Sequence, residues 1–148
     1  LKQNGVLLIN HDGPMKLPAL EMNELKERNA KLYYMPATQL SLQVAGLDLA
    51  TNMALMGAIG AITRLTTLEA LGEAVKERFL GKGFVVSGGT AALDSVVEKK
   101  FKKKQELIDK NIAVIKAGWD YAEEHGWGVE ERAAAKKADD LAAAQASR

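Results

Sequence analysis

The sequence predicts an α/β fold with few strands and several helices, from two short strand-like runs and a series of helical periodicities. Val6 to Ile9 is a run of four apolar residues between a glycine and an asparagine, which is typical of a strand buried on both faces of a parallel sheet. Lys31 to Met35 is a second strand-like run, and Pro36 ends it. The 148 residues and their 47% hydrophobic content are sufficient for the core of one ordinary domain.

Helical spacing covers most of the remaining sequence. The helix that follows Leu49 is apolar on nearly all sides, so we expect protein to enclose it. Thr66 and Glu69 have the spacing of a capping box and predict the start of the next, amphipathic helix. The predicted helices cover Leu20 to Asn29, Thr38 to a break at Gly46, Leu49 through the apolar run to Ile62, Thr66 to about Gly81, Thr90 to Phe101, and Leu107 through Trp119 to about His125.

The composition excludes several functional classes. Twenty basic and 19 acidic residues give a formal charge of +1, so no overall field favours nucleic acid, an anionic membrane or an acidic substrate. The chain has no cysteine, which excludes disulfides, thiolate zinc sites and cysteine-held iron–sulfur clusters from it. The longest apolar run, Met53 to Ile62, is about half the length needed to cross a bilayer, and the first residues lack the pattern of a signal peptide, so we expect no secretory signal. We therefore expect a cytoplasmic protein without a membrane span.

Three residues of the apolar helix are candidates for an interface. Gly57 and Gly60 each cost about 1 kcal/mol relative to alanine in a helix, which indicates that another backbone approaches closely there. Asn52 is the only amide in this helix, and a buried amide must be hydrogen-bonded. We interpret it as an interface contact or as a clamp within the fold, the structural role being the commoner one.

The other reactive or charged groups favour structural interpretations. The glycine motif Gly83-x4-Gly88-Gly89-Thr90 has the spacing of a phosphate-binding loop, but glycine stands where that loop needs lysine, so a flexible insertion is favoured. His11 beside Asp12, and His125, lack further partners at metal-ligand or triad spacing and are interpreted as surface or capping groups. Five lysines between Lys99 and Lys104 could steer an acidic electron carrier, although such runs more often form a solvated helix face.

The two ends of the chain differ from its centre. The first strand-like run begins within five residues of Leu1, which is typical of a start inside a domain, so we expect an amino-terminal part that is trimmed, disordered or supplied by another polypeptide. Residues 129–148 are rich in alanine and charge, with Leu141 as the exception, and predict a solvated helix or disordered tail that docks on a neighbour if ordered. We divide the chain into a domain at 1–128 and this tail.

Several segments of the sequence match those of a known protein family in their order and spacing. They are the strand from Gly5 to Asn10, Tyr34 to Thr38, Asn52 to Ala58, Leu68 to Leu71, Val75 to Phe79, and Lys110 to Trp119. Together they resemble the gamma subunit, or fused gamma domain, of pyruvate and related 2-oxoacid:ferredoxin oxidoreductases. The resemblance covers about Leu1 to Glu124. Residues near Phe84 to Asp94 look like an insertion, and the family's amino-terminal half, with its glycine-rich loop, is absent.

The resemblance implies a three-layer α/β/α domain, represented here mainly by its C-terminal half. It also implies membership of an enzyme that oxidatively decarboxylates a 2-oxoacid to an acyl-CoA and passes electrons to ferredoxin or another acceptor. Thiamine pyrophosphate, magnesium and [4Fe–4S] clusters would lie on the alpha, beta and delta subunits. This chain would then be a non-catalytic structural and interface subunit, with no catalytic, cofactor-binding or metal-binding residue. A stand-alone nucleotide-binding α/β domain and a helical scaffold with an interacting tail remain as alternatives.

Overall fold

A computed structural model describes residues 1–81 and 91–129, and the side chains of all of these except residues 91–97. The elements are β1 (Val6–Asn10), α1 (Ala19–Glu27), β2 (Lys31–Met35), α2 (Ala37–Ala45), α3 (Thr51–Thr63), α4 (Leu68–Leu80) and α5 (Ala91–Glu124), with a 3-10 turn at Asp48–Ala50. The predicted α/β class, with few strands and several helices, is confirmed. The glycine motif at 83–90 and nearly all of the predicted tail lie outside the described residues.

The two strands form a parallel pair in which Val6 lies opposite Lys31 and Asn10 lies opposite Met35. Both predicted strands are therefore confirmed. The side chains of β1 from Val6 to Ile9 are only half-buried, whereas their apolar run predicts full burial on both faces. The reason is that the described residues form only two strands, so β1 has no second neighbour on its other edge.

Different helices cover the two faces of the sheet. Val6 and Leu8 point to one face and pack against the main hydrophobic core. Leu7 points to the other face, where it lines a cavity of about 420 Å³ together with Leu25 of α1. The strand pair therefore lies between two helical layers, as the predicted α/β/α arrangement requires.

The core is centred on α5, which packs against α2, α3 and α4. Met35 at the end of β2, Ile62 of α3, and Val114 and Trp119 of α5 are buried in one cluster. Val75, Ile108 and Ile115 form a second cluster that joins α4 to α5. The long helix is thus the element on which the other helices are assembled.

The helix ends agree with the sequence at most boundaries. Gly46 follows α2 with φ of 67°, in the left-handed conformation that glycine adopts without steric cost. The prediction of separate helical stretches on either side of the lysine run is wrong, because α5 is one helix of 34 residues. Lysine is a good helix former, so the run offers no reason for a break.

The cap of α4 lies one residue later than the capping-box spacing predicts. Thr67 is the N-cap, and its side-chain oxygen accepts a hydrogen bond from the backbone N–H of Ala70 at 3.1 Å. The hydroxyl of Thr66 makes only a long hydrogen bond, of 3.5 Å, to the carbonyl oxygen of Thr67. The capping-box assignment to Thr66 and Glu69 is therefore wrong by one position.

Replacing Thr67 with alanine is expected to lower the free energy of unfolding by about 1 kcal/mol, because an N–H at the start of α4 loses its acceptor. Thr66→Ala is the matched control and should change stability by less than about 0.5 kcal/mol. Urea denaturation of both variants measures this. Equal costs for the two substitutions would contradict the cap assignment.

Candidate subunit interface

The helices α3 and α5 cross with their backbones in direct contact. A Cβ atom placed on Gly57 would lie 1.9 Å from the carbonyl oxygen of Ile115, and one placed on Gly118 would lie 1.9 Å from that of Ala54. Each helix therefore presents a glycine to a carbonyl of the other. The predicted close approach of a second backbone at Gly57 is confirmed, and that backbone belongs to α5 of the same chain.

Gly60 faces a side chain. A Cβ atom at Gly60 would lie 2.8 Å from Cζ3 of Trp119 and 3.2 Å from Cδ1 of Leu71. Trp119 is buried, and the guanidinium of Arg64 lies 4.8 Å from its ring centroid while also forming an ion pair with Glu123. The close contacts of Gly57 and Gly60 are thus made with other helices of the same chain.

The opposite side of α3 faces outward. Asn52, Met56 and Ile59 follow one another at spacings of four and three residues, and all three are exposed. Met56 is 37% exposed, Ile59 is 47% exposed, and Leu49, just before the helix, is 87% exposed. We refer to these four residues as the α3 outer stripe. The described residues of this chain leave this side of the helix uncovered, so its enclosure by protein stays a prediction.

Asn52 is therefore not the buried amide that the sequence suggests. The amide that is buried belongs to Asn111 on α5, which is 5% exposed and donates a hydrogen bond from Nδ2 to the carbonyl of Leu107 at 2.7 Å. Asn111 lies in an amphipathic helix among several charged residues, so its composition gives no signal of burial. The structure places Asn52 on the outer stripe and the two glycines on the inner face of the same helix.

A polar network that the sequence interpretation missed joins the carboxyl ends of the strands to α2 and α3. Asn10 donates from Nδ2 to Oγ1 of Thr38 at 2.8 Å, and the backbone N–H of Thr38 donates to Oδ1 of Asn10 at 3.3 Å. Oγ1 of Thr51, the first residue of α3, lies 3.3 Å from Oγ1 of Thr38 and donates to the carbonyl of Asp48 at 2.6 Å. These neutral groups fix the start of α3 relative to the sheet. The sequence signal that could have identified this network is the position of Asn10 and Thr38 at the carboxyl ends of two parallel strands, where polar groups commonly meet.

The two histidines take structural roles. Nδ1 of His11 lies 2.6 Å from the carbonyl oxygen of Gly13, whereas Asp12 accepts a hydrogen bond from Gln39 at 2.9 Å. The two neighbours thus do not form an acid/base pair. His125 stacks on Tyr121 with ring centroids 4.1 Å apart.

Two further features are absent from the described part of the chain. No cluster of three His, Asp or Glu side chains in it could hold a metal ion. Among the same residues, no helix combines the length and the apolar character that a bilayer crossing requires.

Comparison with known proteins gives a consistent family match. The family described as "Pyruvate ferredoxin/flavodoxin oxidoreductase" matches residues 1–97. The chain is 30% identical over 112 residues to the "Pyruvate/ketoisovalerate oxidoreductases common subunit gamma" of Thermococcus kodakarensis, an alignment that covers 76% of this chain and 51% of that protein. The subunit of the same name in Pyrococcus furiosus is 33% identical over 82 residues, which are 55% of this chain and 42% of that protein.

The match is partial in length. The chain spans about half the length of the curated relatives it matches, or somewhat less. No solved structure matches it. The similarity therefore concerns one portion of the relatives, and this portion includes the helix that carries the α3 outer stripe.

Proposed function

Because the chain belongs to the pyruvate ferredoxin/flavodoxin oxidoreductase family, we propose that it is a gamma-type subunit, or the C-terminal part of one, of a 2-oxoacid:acceptor oxidoreductase. The complex would decarboxylate a 2-oxoacid oxidatively to an acyl-CoA and pass electrons to ferredoxin or another acceptor in the cytoplasm. The similarity to subunits named common subunit gamma supports this proposal. In this role the chain supplies no catalytic group and binds the other subunits.

We assign thiamine pyrophosphate, magnesium and the [4Fe–4S] clusters to the alpha, beta and delta subunits. Iron–sulfur clusters are held by cysteine thiolates, and this sequence contains no cysteine. The residues present therefore do not fit such a cluster.

The exposure of the α3 outer stripe is the main structural support for the proposed subunit role. It places Met56 and Ile59 with Asn52 on one side of the helix, and Leu49 is exposed just before the helix begins, so large apolar side chains accompany a hydrogen-bonding group as in an interface centre. The glycine crossing between Gly57 and Gly118 fixes α3 against α5, so the stripe is presented on a rigid support. Preorganisation of this kind lowers the entropic cost of association.

The experiment that tests the subunit role places two carboxylates in the stripe. In Met56→Glu/Ile59→Glu, docking would bury unpaired charges, so recovery of the partner subunits with a tagged chain is expected to fall by about tenfold or more. Purification from the native cells, followed by mass spectrometry and the visible absorbance of the clusters, measures the recovery.

The matched control is Leu20→Glu, which also adds a carboxylate at an exposed leucine, 82% exposed, but on α1. Its recovery of partner subunits should equal that of the unmodified chain. The subunit role of the stripe would be refuted if Met56→Glu/Ile59→Glu folds, as judged by circular dichroism, and still recovers all the partners. If the unmodified chain recovers no oxidoreductase subunit, the proposed function itself is wrong.

A further inference from the structure

Five lysines lie within six residues of α5 and form what we call the basic cluster. Its members are Lys99, Lys100, Lys102, Lys103 and Lys104. Because the whole chain has a formal charge of +1, the residues outside the cluster carry a net charge of −4. The cluster follows residues 1–97, which the family model covers.

The spacing of these lysines opposes helix formation. Lys99 is three residues from Lys102 and four from Lys103, and Lys100 has the same relation to Lys103 and Lys104. Residues at these spacings are neighbours on a helix surface, where like charges destabilise the helix. The cluster therefore lowers the stability of the element on which the core is assembled.

Acidic residues flank the cluster, and Glu106 lies on the same surface as four of its lysines, so the repulsion is reduced but not removed. Lys99, Lys100, Lys102 and Lys103 are exposed, and none of them forms an ion pair with another described residue. Further along the same helix, Lys116 is paired with Asp120 at the favourable spacing of four residues. Where a natural helix carries destabilising like-charge neighbours without compensating contacts, the position is often a functional one.

We propose that the basic cluster is an electrostatic docking surface for a small acidic protein. Lysine is a compact, strongly hydrated cation, so the surface is suited to rapid, salt-sensitive association rather than to bidentate recognition. The concentration of five positive charges on an otherwise negatively charged chain orients such a partner toward this part of α5. The inference does not depend on the proposed function.

The dimensions and composition of the cluster favour an acidic protein over other anions. Six helical residues extend over about 9 Å, whereas nucleic-acid interfaces need a broader basic footprint with arginine and stacking aromatics. The net charge of −4 on the rest of the chain would repel a long polyanion. A helix that lies on a membrane needs a long apolar face, and the cluster includes one large apolar residue, Phe101.

The test compares two variants of equal net charge. K99Q/K100Q/K102Q/K103Q removes four charges from the cluster, and K2Q/K16Q/K26Q/K110Q removes four exposed lysines that lie elsewhere, so both change the formal charge from +1 to −3. Glutamine and lysine have similar helix propensities, so α5 is retained in both. The probes are a fluorescent oligo-glutamate peptide, a short DNA duplex and phosphatidylserine vesicles, at low and at physiological salt.

We expect the unmodified chain to bind oligo-glutamate more tightly than DNA or vesicles, with an affinity that falls as salt rises. The cluster variant should lose about tenfold or more of this affinity, and the dispersed variant less than about twofold. The proposal is overturned if both variants weaken binding equally, since net charge alone then explains it. It is also overturned if oligo-glutamate does not bind, or if DNA or vesicles bind more tightly through the same lysines.

Discussion

Replacing Gly57 with alanine is expected to lower the free energy of unfolding by about 3 kcal/mol, since overpacking a tight contact costs this much when the backbone must move. The added Cβ would lie 1.9 Å from the carbonyl oxygen of Ile115, and that oxygen belongs to the backbone of α5. No rotamer change can relieve such a contact, so the two helices must separate. Urea denaturation, followed by circular dichroism, measures the loss.

Gly72→Ala is the matched control for this prediction, because Gly72 is also a buried glycine within a helix. A Cβ at Gly72 would have its nearest neighbour at 4.0 Å, an ordinary contact with Cγ2 of Ile112. This substitution should stabilise the protein by about 0.5 to 1 kcal/mol, from helix propensity alone. If Gly57→Ala were as stable as Gly72→Ala, the direct backbone contact between α3 and α5 would be wrong.

Gly57 and Gly60 show how much of a helix contact can be predicted from the sequence. Two glycines in an apolar helix indicate a close neighbour, because their cost in helix stability requires a reason. They do not identify the neighbour, since Gly118 lies some sixty positions away in a helix with a different pattern. The choice between a contact within the chain and a contact between chains depends on tertiary packing. The structure brings Gly57 and Gly118 together within one chain.

Asn52 shows a second limit of prediction from sequence, which concerns the burial of a side chain rather than its neighbour. An apolar helix with one amide predicts a buried hydrogen bond, and the periodicity does not distinguish a side covered by this chain from a side that faces outward. The exposed side of α3 also carries large apolar side chains, Met56 and Ile59, so composition alone gives the wrong burial for Asn52. The strands, by contrast, were predictable because runs of four or five residues bounded by polar residues or proline are too short for a typical helix.

The inner and outer sides of α3 are linked by their geometry. Because Gly57 and Gly118 remove side chains from the crossing, α3 approaches α5 closely while its outer stripe stays exposed. A change that separates the helices therefore displaces Met56 and Ile59 as well. Gly57→Ala should for this reason weaken both the fold and any association through the stripe, whereas Met56→Glu/Ile59→Glu should weaken association much more than the fold.

Replacing Trp119 with alanine is expected to cost about 4 kcal/mol, which is typical of removing a buried tryptophan. The residue is 7% exposed, and its indole packs against Gly60 and lies beneath the guanidinium of Arg64. The cavity left between α3 and α5 cannot close, because the glycine crossing already holds the two backbones in contact. Urea denaturation measures the loss, and a cost below about 1 kcal/mol would contradict this packing.

The same tryptophan determines the effect of a side chain at Gly60. Alone, Gly60→Ala should cost about 2 kcal/mol, because its Cβ would lie 2.8 Å from Cζ3 of Trp119. In the Trp119→Ala background that contact is gone, and the remaining neighbour, Cδ1 of Leu71 at 3.2 Å, belongs to a side chain that can shift. The cost of Gly60→Ala should then fall below about 1 kcal/mol, a coupling typical of residues in contact. Additive costs in this double-mutant cycle would mean that the indole does not limit the space at Gly60.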